Sequence, residues 1–187
     1  MDHLFNPLIE RIAAALIAAK VPYMVIGGQA VIQYGEARLT EDIDITVGIG
    51  VNDWRLADRL LQSAGLVPRA PNYQYAAENG HMLLLADKVT SIRVDAALSG
   101  SSLESAALAR VVHHQIGSTR VAFASVEDLL IQKIFAGRER DHDDVRRLLL
   151  RKQKTFDDAY VEEWLRQLGA AFDRDLLGDF QSLAPRR

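Results

Sequence analysis

Cysteine is absent from the 187-residue chain, which excludes disulfide staples and thiolate metal sites and fits a cytoplasmic setting. No apolar run approaches the length of a membrane span, so no membrane association is expected. The opening residues lack the basic-then-apolar pattern of a secretory signal; Met1 to Lys20 reads instead as an amphipathic helix with Leu8, Ile9, Ile12 and Leu16 on one face. Internal repeats, low-complexity tracts and linker-like segments are also missing. The histidines form no His-x-His or His-Glu-x-x-His pattern, and adjacent His113 and His114 on a strand would face opposite ways. No Gly-x-Ser-x-Gly occurs, which leaves a hydrolase nucleophile elbow without support. A net charge of −3 argues against a protein that coats nucleic acid.

What the chain does have is core. At 49% hydrophobic residues it can fold as an ordinary globular protein. The patterning predicts an α/β (α+β) architecture: a core with a mixed β-sheet flanked by helices over residues 1–125, followed by a helical region over 126–187 expected to pack on that core as a small bundle. Strands are expected near 22–27, 42–49, 81–87 and 90–98, with a hairpin over 111–124 turning at Gly117-Ser118. Helices are expected over 7–19, 28–34, 53–64, 103–109, 126–136, 140–152, 158–168 and 174–183. Residues 68–80, with Pro68, Pro71, Asn79 and Gly80, read as the most loop-like stretch. Tyr73 and Tyr75 within it are candidates for stacking on a base or for ordinary packing.

The chemistry concentrates in two adjoining segments. Tyr23-Met24-Val25-Ile26 is a short apolar strand, and Gly27-Gly28 then allows a sharp turn into a helix opened by Gln29. Such a junction presents backbone N–H groups and a helix dipole to an anion. Asp42 lies fourteen residues after Gly28, in Asp42-Ile43-Asp44-Ile45-Thr46-Val47. Residues at i and i+2 of a strand share a face, so Asp42 and Asp44 point one way while Ile43, Ile45 and Val47 point into the core. Two carboxylates held this close favour a cation between them, and Mg²⁺ suits carboxylate and phosphate oxygens. Each element also has a plain reading, a turn and a solvated strand face; their order and spacing favour a site. Asp95, in Ile92-Arg93-Val94-Asp95-Ala96, alternates out of the core and supplies a third candidate carboxylate.

A further block lies at Ser125 to Asp144. Ser125 and Asp128 resemble a capping box, Leu129, Leu130, Lys133 and Ile134 follow at helical spacing, and Gly137 can end the helix. Lys133 falls among apolar residues and needs an anionic partner, either Asp141 or Asp144 or a bound phosphate. Between Arg110 and Lys154 ten Lys or Arg face six Asp or Glu, a local +4 that leaves −7 elsewhere. That excess suits an RNA acceptor, a triphosphate or a solvated helix face alike.

Taken in order, Gly-Gly, Asp-x-Asp and a later strand carboxylate resemble the polymerase-β-like nucleotidyltransferase superfamily. The Lys133…Ala136-Gly137-Arg138-x-Arg140-Asp141-x-x-Asp144 block is similar to that of AbiEii-type nucleotidyltransferase toxins, and the resemblance spans residues 20–150. It implies that residues 1–125 are a nucleotidyltransferase core, in a cytoplasmic, metal-dependent enzyme that moves NMP from an NTP to a hydroxyl acceptor. By that resemblance Asp42, Asp44 and Asp95 would hold metal, with two Mg²⁺ ions, and Asp95 would help activate the hydroxyl. Gly27 and Gly28 would bind the triphosphate, Lys133 would meet phosphate or acceptor, and Arg138, Asp141 and Asp144 would serve the nucleotide-binding region. Gly28 replaces a Ser common in the superfamily, and Gln29 or Thr40 are candidates to make up the lost contact. Arg38 reaches either phosphate or solvent. RNA, with tRNA in particular, is the implied acceptor, and the chain would act as a toxin with a cognate antitoxin protein. A small molecule such as an aminoglycoside or lincosamide, or a protein side chain, is the alternative acceptor; a non-catalytic nucleotide- or partner-binding relative is the third reading.

Overall fold

Pro7 starts the first helix, α1 (Asn6–Ala18), which buries Leu8, Ile9, Ile12, Ala13 and Leu16 along one stripe. The computed structural model describes residues 4–35, 39–150 and 156–183. These divide into two units. One comprises described residues 4–30 and 39–124, the other 31–35, 125–150 and 156–183.

The first unit is built on one seven-stranded mixed sheet. Its strands are β1 (Tyr23–Ile26), β2 (Asp42–Val47), β3 (Leu66–Pro68), β4 (Met82–Asp87), β5 (Arg93–Leu98), β6 (Val112–Ile116) and β7 (Thr119–Phe123). Their spatial order is β3-β4-β5-β2-β1-β7-β6. The central β2 pairs antiparallel with β1 and parallel with β5. Strict alternation places Ile43 and Ile45 beside Val94 and Ala96 in the core, each 1% exposed or less, and sends Asp42, Asp44 and Asp95 to the opposite face. Burial of each such Ile or Val stabilises by about 1.5–3 kcal/mol, so this alternation fixes the register that carries the acids.

Helices of this unit are α3 (Trp54–Ser63), after a single 3₁₀ turn at Val51–Asp53, α4 (Tyr73–Asn79) and α5 (Ser102–Ala109). The last carries a full capping box between Ser101 and Glu104. The division between the units falls within α2 (Gly27–Gln33). At the end of β4, the buried carboxylate of Asp87 accepts from Arg11 Nη2 at 2.6 Å and from Thr90 N–H and Oγ1 at 2.9 and 2.7 Å. Burial alone would raise its pKa, but these donors outweigh it and hold the carboxyl below its ordinary value.

The second unit consists of helices: α6 (Val126–Ala136), α7 (Glu139–Leu150), α8 (Asp158–Phe172) and α9 (Leu176–Leu183). Leu130, Ile134, Val145, Leu148, Val161, Leu165, Leu176 and Phe180 form its core. Ser125 caps α6 by accepting from Asp128 N–H, and Gly137 ends it in the left-handed conformation at φ 65°. Asp128 is fully buried and accepts from Ser125 Oγ at 2.5 Å and Tyr160 Oη at 2.7 Å. Burial, then the charges of Glu127 and Asp128, push the Tyr34 phenol above its ordinary pKa.

The mixed sheet, flanking helices and C-terminal helices agree with the architecture read from the sequence. Residues 68–80 differ in part: 70–72 are bend and turn, but Pro68 belongs to a strand and Tyr73–Asn79 form α4. Pro68 closes the short edge strand β3, where a missing N–H costs nothing. Ala77 buries α4, while Tyr73 Oη donates to Asp58 at 2.6 Å. Burial, and after it that bond and the Asp58 charge, raise the phenol's pKa well above normal. Tyr75 is 67% exposed. The strand expected from residue 90 starts at Arg93, since Asp87 folds Thr90 and Ser91 (φ 60°) into a turn. Helix α8 continues past the expected 168 to Phe172, and ends where Asp173 turns left-handed (φ 52°) and its N–H and that of Arg174 donate back to the Gly169 carbonyl.

Candidate active site

Two carboxylates are brought side by side by strand pairing alone. Asp44 on β2 lies directly opposite Asp95 on β5, and Asp42 lies opposite Arg93. Adjacent strands run about 4.8 Å apart, which sets the Asp44 and Asp95 backbones at that spacing. Both Asp42 and Asp95 are partly exposed, with side-chain exposures of 33% and 26%. On the other side of β2, Ile26 pairs with Asp44, and the next residue is Gly27.

Gly27 is the residue that lets Asp44 fit. It opens α2 at φ +63°, and a Cβ placed on it would lie 2.0 Å from Asp44 Oδ2. The position demands both the backbone freedom and the empty space of glycine. Gly27→Ala is expected to lower stability by more than about 1 kcal/mol and to push the Asp44 carboxylate off its seat. Urea denaturation measures the first effect and loss of Mn²⁺ binding the second. Gly28 follows in α2 and is buried. Gln29 is 8% exposed, yet its Nε2 finds no hydrogen-bond partner among the described residues. An orphaned buried donor is costly unless a ligand satisfies it.

Cations attend the acids. Arg69 Nη2 donates to Asp95 Oδ1 at 2.5 Å. Arg93 Nη2 lies 3.6 Å from Asp42 Oδ2 and 3.3 Å from Glu41 Oε2. Thr40 Oγ1 donates to Asp42 Oδ1 at 3.1 Å and to its carbonyl at 3.2 Å, so Thr40 orients this carboxylate. Among the described residues no three acids or histidines already converge as a metal cage. The donor set nevertheless fits a hard divalent cation: three carboxylates on one face of two paired strands, the glycine space that seats Asp44, and a neighbouring orphaned amide. Arginines attend Asp42 and Asp95 in the arrangement seen here.

The remaining candidates lie in the helical unit. Lys133 is 4% exposed and donates to Asp141 Oδ1 at 3.1 Å, with Asp144 Oδ2 at 2.7 Å. The carboxylates are therefore its partners in this arrangement. Arg138 Nε donates to Asp141 Oδ2 at 2.5 Å while its side chain stays 58% exposed. Burial would raise the Asp141 pKa, but Arg138 and Lys133 overcome it and hold the carboxyl below its usual range. Arg38 lies outside the described residues. Arg69 is the functional candidate that the sequence alone did not mark. It follows Pro68 in an aperiodic stretch, and only strand register links it to Asp95.

At the level of sequence, no protein-family profile and no curated protein matches the chain. Structural comparison does find solved structures of similar fold. An antigenic nucleotidyltransferase-like protein from Paracoccidioides brasiliensis superposes with a TM-score of 0.54 at 16% identity, covering 97% of this chain and 94% of that one. The antibiotic-resistance factor ANT(2'')-Ia superposes with a TM-score of 0.52, again at 16% identity, covering 98% of this chain and 90% of its own. The chain thus has a nucleotidyltransferase-like fold, and its paired-strand carboxylates lie within it.

Proposed function

We propose that this chain is a divalent-metal-dependent nucleotidyltransferase that moves NMP from an NTP to a hydroxyl of RNA, with tRNA as the leading acceptor, and that it acts as a toxin held by a cognate antitoxin. The observation that carries the enzymatic reading is the Asp44–Asp95 register pair beside Gly27, within a fold of this type. The toxin role and RNA acceptor rest on the resemblance of the Lys133 to Asp144 block to AbiEii-type toxins.

In this reading Asp42, Asp44 and Asp95 hold Mg²⁺. Such ions, when bound, neutralise phosphate charge and stabilise attacking and leaving oxygens. The acceptor oxygen forms a bond to the α-phosphorus as the bond to the bridging oxygen of the β-phosphate breaks, releasing pyrophosphate. Asp95 takes the hydroxyl's proton. Thr40 keeps the Asp42 carboxylate turned, and Gln29 Nε2 offers its unused N–H to a phosphate oxygen. Gly27 and Gly28 allow the phosphate chain close to the backbone. In the helical unit, Lys133, Asp141 and Asp144 serve by holding Arg138 as the exposed cation for an anionic ligand.

One observation favours a second acceptor. The structural likeness to an antibiotic-resistance factor extends over 98% of the chain, which makes a small-molecule hydroxyl the alternative. The test is the partition of α-³²P label from each of the four NTPs, with Mg²⁺, among total RNA, protein and added aminoglycosides. Label on RNA is the expected result. Label confined to an aminoglycoside or to protein would replace the RNA acceptor while keeping the chemistry.

A further inference from the structure

Asp95 is already engaged, and the way it is engaged is built into the sheet. Arg69 N–H donates to the Leu84 carbonyl at 3.0 Å, and Leu84 lies directly opposite Asp95 across the β4–β5 pair. Arg69, Leu84 and Asp95 therefore form one row across the sheet. With strands about 4.8 Å apart, Arg69 begins about two strand spacings from Asp95, a span its long side chain covers. The resulting contact is 2.5 Å, with side-chain exposures of 29% for Arg69 and 26% for Asp95. Arg93 holds Asp42 differently: its contact is 3.6 Å, and it shares its charge with Glu41, which is 87% exposed.

We infer that Arg69 is a positioning residue of the acidic site, an internal counter-cation that competes with the divalent metal for Asp95 and thereby sets the metal affinity. The inference rests on the proposed metal site. Its physical basis is that a guanidinium held close on Asp95 Oδ1 already neutralises the carboxylate and sets a second positive charge beside any metal ion, so each cation weakens the other's hold. In the metal-free protein Arg69 relieves repulsion between Asp95 and the facing Asp44, and it keeps the Asp95 carboxylate on the site face. As metal takes Asp95, the guanidinium is released beside the site, where the phosphates of a nucleotide offer a replacement anion.

The test is Mn²⁺ binding to the whole protein, followed by the EPR signal of free Mn²⁺ at low ionic strength, with a thermal melt for each variant. Arg69→Gln is expected to bind Mn²⁺ about three- to tenfold more tightly than wild type and to melt lower without metal. Arg69→Lys keeps the charge and is expected to stay within about twofold of wild type. Because Arg69 acts through Asp95, the Arg69→Gln change is expected to have no effect on affinity in an Asp95→Asn background. Arg69→Met serves as the neutral replacement should Arg69→Gln not fold. Unchanged or weaker Mn²⁺ binding in the neutral variants would overturn the inference while leaving the metal site intact. Wild-type protein that binds no Mn²⁺, or binding unaffected by Asp44→Ala, would instead overturn the metal site itself and the competition with it.

Discussion

Asp44→Asn is expected to reduce nucleotidyl transfer about a thousandfold or more, while changing folding stability by less than about 1 kcal/mol. Both halves follow from position. Asp44 is the central acid: it faces Asp95 across the parallel pair and lies against Gly27 on its other side. Replacing it removes a hard anionic ligand from between the other two acids, and several kcal/mol of transition-state stabilisation corresponds to several powers of ten in rate. Asparagine keeps the shape and one acceptor oxygen, and it leaves Ile43 and Ile45 in the core, so the packing that holds the strand is unchanged. Steady-state rates and urea denaturation on the same preparation check the two halves. Equal losses of activity and stability would make Asp44 a structural residue.

Lys133→Met should have the opposite signature, a large loss of stability. Lys133 lies between Asp141, whose side chain is fully buried, and Asp144, whose side chain is 6% exposed. Deleting one partner of a buried ion pair costs about 3–5 kcal/mol, because the carboxylates left behind have lost water and gained nothing. Arg138 still reaches Asp141, so a value near the lower end, about 3 kcal/mol, is expected. The pH dependence supplies a second check. Asp141 has a folded-state pKa below its ordinary value, so its contribution to stability is present above the unfolded carboxylate pKa and is lost as pH falls through the lowered one. The gap between wild type and Lys133→Met should therefore narrow as pH is lowered from neutral through the carboxylate range. A gap that stays constant with pH would mean that Lys133 contributes through packing of its methylenes and not through charge.

The contrast between these residues shows what sequence patterning carries and what it does not. Period-two alternation in Asp42 to Val47 and in Ile92 to Leu98 requires the acids and the core residues to occupy opposite faces, and the sheet places them so. Which acids become neighbours is a matter of strand order: β2 beside β5, at a register that sets Asp44 against Asp95. Spacing along the chain cannot specify that pairing. Arg69 was invisible for the same reason, since its relation to Asp95 runs through Leu84 on an intervening strand. For Lys133 the apolar neighbours signalled burial, and two anionic partners remained open until the geometry showed both carboxylates in contact. Within 68–80, Pro and Asn mark the turn at 70–72 correctly but hide the elements on either side, because edge position tolerates Pro68 and one buried alanine anchors α4.

The measurement that tests the central claim most directly compares α-³²P with γ-³²P NTP in the presence of Mg²⁺ and total RNA, for wild type and Asp42→Ala/Asp44→Ala. Nucleotidyl transfer at these carboxylates attaches the α label to RNA while the γ label leaves as pyrophosphate, and the double variant does neither. Transfer of γ label with α label left on free nucleotide would contradict it, because the reaction would then be phosphoryl transfer. Equal α-label transfer by the double variant would contradict it as well, by removing the carboxylates from the chemistry.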